Sequence, residues 1–191
     1  MKLDQLIKNV SYIKAIGETD VEISGLSIDS NAVKNGNLFI CLKGKGFDGH
    51  NFIKQAVASG AVAVVCEKEM QLNIPQIIVK NSREAMSKIA SNFYDNAHER
   101  LKMVAVIGTN GKTTTAHLIK NILENAGINC GVIGTLGSYY RDDFIEPNLT
   151  TPDPIELHKT LFEMEKKGAK VVVMEVSAHA LYYQKTAGLH F

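Results

Sequence analysis

Charge of one sign is what this chain most clearly lacks. Its 21 Lys+Arg balance 20 Asp+Glu for a formal net charge of +1, which excludes the basic footprint of a general nucleic-acid or membrane-surface binder. Long apolar runs are also absent. The longest falls far short of the roughly 20 residues that a bilayer crossing needs. The start, Met1-Lys2-Leu3-Asp4-Gln5, lacks the apolar core of a signal peptide. Cysteine is scarce: Cys41, Cys66 and Cys130 each lie in or beside an apolar run. An odd number without metal-ligand spacing excludes a disulfide framework or zinc cluster and reads as reduced, buried thiols. No repeat or low-complexity segment interrupts the chain. A cytoplasmic setting without membrane or nucleic-acid partners is the expectation.

What is present is alternating apolar patterning over 191 residues, enough for one or two domains with a sizeable core. Leu3, Leu6, Ile7 and Val10 space as a short helix. Residues 23–28, 37–42, 61–66 and 76–79 read as strands, and Phe52, Ile53, Ala56 and Val57 as a helix closed by Gly60. Ser82 reads as the N-cap of a helix carrying Ala85, Met86, Ile89, Ala90 and Phe93. The polar stretch 95–100 divides the chain, giving expected domains 1–98 and 99–191. The second block holds a strand at 103–107, a helix with Ile119, Ile122, Leu123 and Ala126, a strand near 130–133 and a loop through 139–143. A further helix starts at Asp153 (N-cap), Pro154 (N1) and Glu156 (N3), a capping-box pattern. The run Val171-Val172-Val173-Met174 is a fully buried strand of a parallel sheet. About three strands are legible there, fewer than a nucleotide-binding sheet usually has. The expectation is therefore a piece of a longer protein: a small mixed α/β domain followed by an incomplete P-loop-type parallel-sheet domain.

The chemistry concentrates in Gly108-Thr109-Asn110-Gly111-Lys112-Thr113-Thr114-Thr115, directly after the apolar strand. Glycines let backbone N–H groups turn toward phosphate oxygens, and a helix N-terminus favours negative charge. Lys112 supplies a point charge for β/γ-phosphates, and the Thr113 hydroxyl can ligate Mg²⁺. The common spacing G-x-x-x-x-G-K-[ST] is not met: Val106 stands where its first glycine would be, so the loop is shorter.

Other candidates cluster later. Glu175 sits at the carboxyl end of the 171–174 strand, where open α/β sheets hold ligands. A strand-end ion pair is the plain alternative, but a phosphate loop upstream favours a Mg²⁺ ligand. Ser177 and His179 form Ser-x-His without G-x-S-x-G, which argues against a hydrolase nucleophile and for a hydroxyl that grips substrate. His179 reads equally as a ligand or a packing residue. Thr150 and Thr151 either cap a helix or bind an anion. Ser30 lies in a turn after a strand. Gly44, Gly46 and Gly49, with Lys43, Lys45, Asp48 and His50, form a loop that is either a surface turn or a diphosphate cradle. His98, His117 and His158 carry no assigned role.

Taken together, these segments resemble the Mur ligases. The resemblance rests on 108–115, on Thr150-Thr151-Pro152-Asp153-Pro154 and on Met174-Glu175-Val176-Ser177-Ala178-His179-Ala180-Leu181. In the first block it rests on Asp29-Ser30, Gly36-Asn37-Leu38-Phe39-Ile40 and Asp48-Gly49-His50-Asn51-Phe52-Ile53. It is greatest to the branch that makes the tripeptide precursor, and it covers the whole chain. It implies a uridine-nucleotide-binding first domain and an ATP-binding central domain. It implies an ATP- and Mg²⁺-dependent ligase that is a monomer. Its partners would be UDP-MurNAc-L-Ala-D-Glu and a diamino acid, meso-diaminopimelate or L-lysine, joined through an acyl phosphate. Residue by residue, it assigns Gly108, Thr109, Asn110, Gly111, Lys112, Thr113 and Thr114 to ATP, Thr113 and Glu175 to the metal, and Lys112 and Glu175 to catalysis. Ser30, Thr150, Thr151, Ser177 and Lys185 fall to the UDP-MurNAc substrate. Asn31, Leu149 and Lys185 stand where the family often has arginine, asparagine and arginine. The family's carbamylated lysine, histidine-rich metal segment and C-terminal domain would follow residue 191, so the chain alone is expected to lack ligase activity. Two alternatives share parts of the pattern: a non-catalytic UDP-sugar or nucleotide-binding module, and a folylpolyglutamate- or cyanophycin-type ligase.

Overall fold

The computed structural model describes every residue except Lys45, so Lys45 of the glycine loop lies outside the described residues. The chain divides into two compact units, Met1–Phe93 and Tyr94–Phe191. The polar segment 95–100 falls inside the second unit, as Ala97–Arg100 in a 3₁₀ turn. No helix among the described residues is long and apolar enough to cross a membrane.

The first unit runs α1 (Leu3–Leu6), β1 (Lys14–Ile16), β2 (Gly25–Ser27), β3 (Asn37–Ile40), β4 (Lys43–Gly44) and β5 (Phe47–Asp48). It continues with α2 (Ile53–Ala58), β6 (Ala61–Cys66), β7 (Gln76–Ile78) and α3 (Ser82–Phe93). Its sheet has the order β1-β7-β6-β3-β2. The four strands β2, β3, β6 and β7 are mutually parallel, and β1 closes one edge antiparallel. Phe39, Cys41, Val64 and Cys66 point to one face and pack with Ile53 and Ala56 of α2, as the two-residue period of a strand requires.

The second unit runs β8 (Lys102–Ile107), α4 (Lys112–Asn125), β9 (Cys130–Gly134), β10 (Gly137–Tyr140), β11 (Asp143–Ile145), α5 (Pro154–Lys166), β12 (Val171–Val176) and α6 (Ala178–Tyr182). Its order is β11-β10-β9-β12-β8. Strand β12 is central and parallel to both β8 and β9. Every β12 residue is buried, which explains its unbroken apolar run. Alternation sorts its side chains. Val172, Met174 and Val176 pack with Leu157, Leu161 and Met164 of α5. Val171 and Val173 pack with Ala116, Ile119 and Leu123 of α4. Glu175 has the parity of Val171 and Val173, so it belongs to the face that α4 covers, one step past the apolar positions.

Several local expectations change. Residues 139–143 are not a loop: β10 and β11 form an antiparallel hairpin turned at Arg141, which takes φ 53. The second sheet is therefore mixed, with five strands rather than three. The N-cap of α3 is Asn81, whose Oδ1 accepts from the Arg83 and Glu84 N–H groups at 3.0 and 3.4 Å. Ser82 instead begins the helix, and its N–H donates to Glu67. Asp153 precedes α5 as expected, but its carboxylate makes no cap bond. Ile122 does not join the packed stripe of α4 and is 67% exposed. All three cysteines are buried and free. Burial pushes the Cys66 and Cys130 thiols up to about 11, and Cys41 up as well, so they stay protonated near neutral pH.

Candidate active site

The phosphate loop leaves β8 after Ile107 and enters α4 at Lys112. Gly111, the residue before the helix, has φ 78, a left-handed conformation that glycine adopts without steric cost. Gly111 brings no side chain to cap α4, which leaves the first-turn N–H groups without the usual N-cap acceptor. The Lys112 ammonium folds back onto the carbonyls of Gly108 at 2.9 Å and Thr109 at 3.4 Å. Two carbonyl dipoles thus hold the positive charge within the loop. Thr109, Asn110 and Thr114 are exposed around it.

Glu175 meets this loop. It lies inside β12 rather than after it and is 1% exposed. A carboxylate this deeply buried needs hydrogen-bond donors, and three converge on it. Oε1 accepts from the Thr135 N–H at 2.9 Å. Oε2 accepts from Thr113 Oγ1 at 3.0 Å and lies 3.2 Å from Thr135 Oγ1. Gly134 makes room for the carboxylate, since a Cβ there would overlap Oε1. Among the described residues no ion pair reaches Glu175; the partners are threonines.

The network continues to the other predicted residues. Thr135 Oγ1 lies 3.1 Å from Thr150 Oγ1. Thr151 Oγ1 donates to the Glu175 carbonyl at 3.0 Å and accepts from the Ser177 N–H at 3.1 Å. Ser177 Oγ caps α6 by accepting from Ala180 N–H at 3.1 Å. Lys185 is 5% exposed, pairs with Asp153 at 2.9 Å and approaches the Thr151 carbonyl at 3.4 Å. Its charge is committed to the start of α5, which explains why Asp153 does not cap that helix. His179 is exposed and stacks near Tyr183. Thr113, Glu175, Thr150, Thr151, Ser177 and Lys185 are thus brought into one network.

Ser30 lies in the first unit, on a cavity of about 360 Å³. Its lining combines the polar Asp29, Ser30 and Asn31 with the apolar Ile28, Phe39, Phe47 and Phe52. Gln55 ties two of the polar residues together: its Oε1 accepts from Ser30 Oγ at 3.2 Å and its Nε2 donates to Asn31 Oδ1 at 2.8 Å. In the nearby glycine-rich segment, Lys43–Gly44 pairs antiparallel with Phe47–Asp48. Lys43 pairs with Glu67 at 2.8 Å. The buried His50 accepts from the Glu67 N–H on Nε2, so Nδ1 carries the proton and donates to Asp48. The His50 backbone N–H, then its ring, hold the Asp48 carboxyl below its ordinary range.

Sequence reasoning missed Thr135, Gly134 and Gln55. The first two follow the rule that ligands gather at the carboxyl ends of parallel strands: Gly134 ends β9 and Thr135 follows it, beside Glu175. Gln55 carries no signal beyond its place on α2.

Two family models match. One described as the Mur ligase middle domain covers residues 106–191, and one described as the Mur ligase family catalytic domain covers residues 22–94. The chain is 40% identical over 193 residues to UDP-N-acetylmuramoyl-L-alanyl-D-glutamate–2,6-diaminopimelate ligase 1 of Clostridium acetobutylicum, matching all of this chain and 40% of that protein. It is 42% identical over 195 residues to the corresponding ligase of Cytophaga hutchinsonii, with the same coverage. Among solved structures, a 2,6-diaminopimelate ligase of the same description superposes with TM-score 0.80 at 25% identity, over 98% of this chain and 38% of that one. The Thermotoga maritima MurF ligase in complex with ADP gives TM-score 0.54 at 28% identity, over 80% of this chain and 32% of that one. The chain thus spans about 40% of the length of the curated relatives it matches.

Proposed function

The chain belongs to the Mur ligase family, as its N-terminal and middle domains, and from that premise we propose that it serves ATP-dependent amide-bond formation on UDP-MurNAc-L-Ala-D-Glu. The observation that carries this reading is the Thr113 hydroxyl 3.0 Å from the buried Glu175 carboxylate, at the foot of the phosphate loop. The amine favoured is 2,6-diaminopimelate, the substrate named for the relatives at 40% and 42% identity.

A carboxylate is a poor electrophile because its oxygen does not leave. Transfer of the ATP γ-phosphoryl to the D-glutamate carboxylate gives an acyl phosphate and ADP. The amine then attacks the acyl carbon, phosphate leaves, and the amide remains. Positioning and charge neutralisation dominate such a reaction. Lys112 exchanges its loop carbonyls for β/γ-phosphate oxygens. The uncapped start of α4 presents N–H groups to the phosphates, with Gly108, Thr109, Asn110, Gly111 and Thr114 shaping the loop. One carboxylate and neighbouring hydroxyls are hard oxygen donors that fit Mg²⁺, so Glu175 and Thr113 would hold that ion. When bound, it would neutralise charge on the transferred phosphoryl group. Thr150, Thr151 and Ser177 grip the MurNAc-peptide end, and Lys185 supports them indirectly through the Thr151 carbonyl. The Ser30 cavity takes the uridine nucleotide, with Phe47 and Phe52 available to its base.

Calorimetry with UDP-MurNAc-L-Ala-D-Glu, ATP and a folate tests this reading. Binding of the first two without the folate is expected. Folate binding without uridine-nucleotide binding would overturn it in favour of a folate-type ligase.

A further inference from the structure

Thr135 belongs to none of the assigned motifs, yet it joins the two halves of the site. Its backbone N–H donates to Glu175 Oε1 at 2.9 Å. Its hydroxyl stands between Glu175 Oε2 at 3.2 Å and Thr150 Oγ1 at 3.1 Å. Thr113, on the phosphate-loop side, reaches the same Oε2 at 3.0 Å. Four groups therefore form one line from the start of α4 to Thr150.

Proton counting gives this line a direction. A hydroxyl has one proton to donate, and an ionised carboxylate only accepts. With Glu175 ionised, Thr135 satisfies both neighbours in one way: it donates to Oε2 and accepts from Thr150. Thr150 then points its proton inward. If Oε2 gives its lone pairs to a cation, the Thr135 hydroxyl loses that acceptor. It rotates to donate to Thr150 Oγ1, and the Thr150 proton is released outward, where an anionic substrate can accept it. Only hydroxyl rotations are involved; no bond is made or broken.

We propose that Thr135 is a positioning residue that couples the nucleotide end of the site to the acidic-substrate end through the Thr150 hydroxyl. This rests on the ligase reading, in which Thr150 contacts UDP-MurNAc-L-Ala-D-Glu and Glu175 faces the metal of bound ATP. Occupation of the nucleotide end turns Thr150 into a donor for the second substrate, so the two ligands bind with positive cooperativity. By linkage the effect is reciprocal.

The test is a calorimetric cycle on the chain. Affinity for UDP-MurNAc-L-Ala-D-Glu is measured with and without a magnesium complex of a non-hydrolysable ATP analogue, for wild type, Thr135→Val and Thr135→Ser. Valine matches threonine in shape and keeps the backbone N–H bond but has no hydroxyl; serine restores the hydroxyl. Thr135 is exposed, so neither change opens a cavity, and a thermal melt checks the fold. Wild type and Thr135→Ser are expected to show at least about 5-fold tighter substrate binding with the analogue present. In Thr135→Val the Thr150 hydroxyl loses its Thr135 acceptor whether or not nucleotide is bound, so substrate affinity is expected to be nearly the same with and without the analogue, an enhancement near 1-fold. Undiminished enhancement in Thr135→Val, or none in wild type, overturns the coupling while leaving the ligase reading intact. Failure of wild type to bind either ligand overturns the ligase reading, and the coupling with it.

Discussion

A methyl group at position 134 would overlap the Glu175 carboxylate, whose Cδ would lie 2.8 Å from the new carbon. Gly134 is therefore set by a close approach rather than by its backbone angle. Gly134→Ala is expected to lower stability by about 1–3 kcal/mol through overpacking, read from denaturant unfolding. A wild-type midpoint would show that the carboxylate relocates without cost. At this scale Lys112 was singled out by the glycines and threonines around it, and Glu175 by its place at the carboxyl end of an apolar strand. Thr135 was not. A single threonine after a glycine has many uses, and its meaning comes from β9 lying beside β12, which only the folded sheet reveals. Lys185 shows the opposite case. Its charge was legible, but its partner, Asp153, lies 32 residues earlier in the sequence.

Helix starts show the same division between local and tertiary causes. Asn81 and Ser82 are both good N-cap residues, and the sequence favoured Ser82. The structure gives the cap to Asn81, because the Ser82 N–H donates to Glu67 at 3.1 Å. Asn81→Ala is expected to cost about 1 kcal/mol, while Ser82→Ala leaves α3 capped. Equal losses in thermal or denaturant unfolding would contradict this assignment. The α5 start was read correctly in place but not in chemistry, since Lys185 competes for the Asp153 carboxylate. The β10–β11 hairpin escaped notice because every β11 residue is exposed, so no apolar alternation marks it. The central strand β12 was the clearest element, since burial on both faces leaves a continuous apolar run.

For the whole chain, the class was legible: two α/β units, each built on a sheet with parallel strands at its centre. The mixed character of the second sheet was not, because antiparallel strands added at an edge leave the parallel core pattern unchanged. The central claim is that β8, β9 and β12 bring the phosphate loop, Thr135 and Glu175 together as a magnesium–nucleotide site. The most direct measurement is the ATP affinity of the chain in saturating Mg²⁺ and in a chelator, for wild type and Glu175→Gln. The account predicts that Mg²⁺ tightens wild-type binding by at least about 10-fold, or ~1.4 kcal/mol, and that Glu175→Gln loses most of this enhancement while still binding ATP through Lys112. Equal Mg²⁺ enhancement in both proteins, or none in wild type, would contradict it.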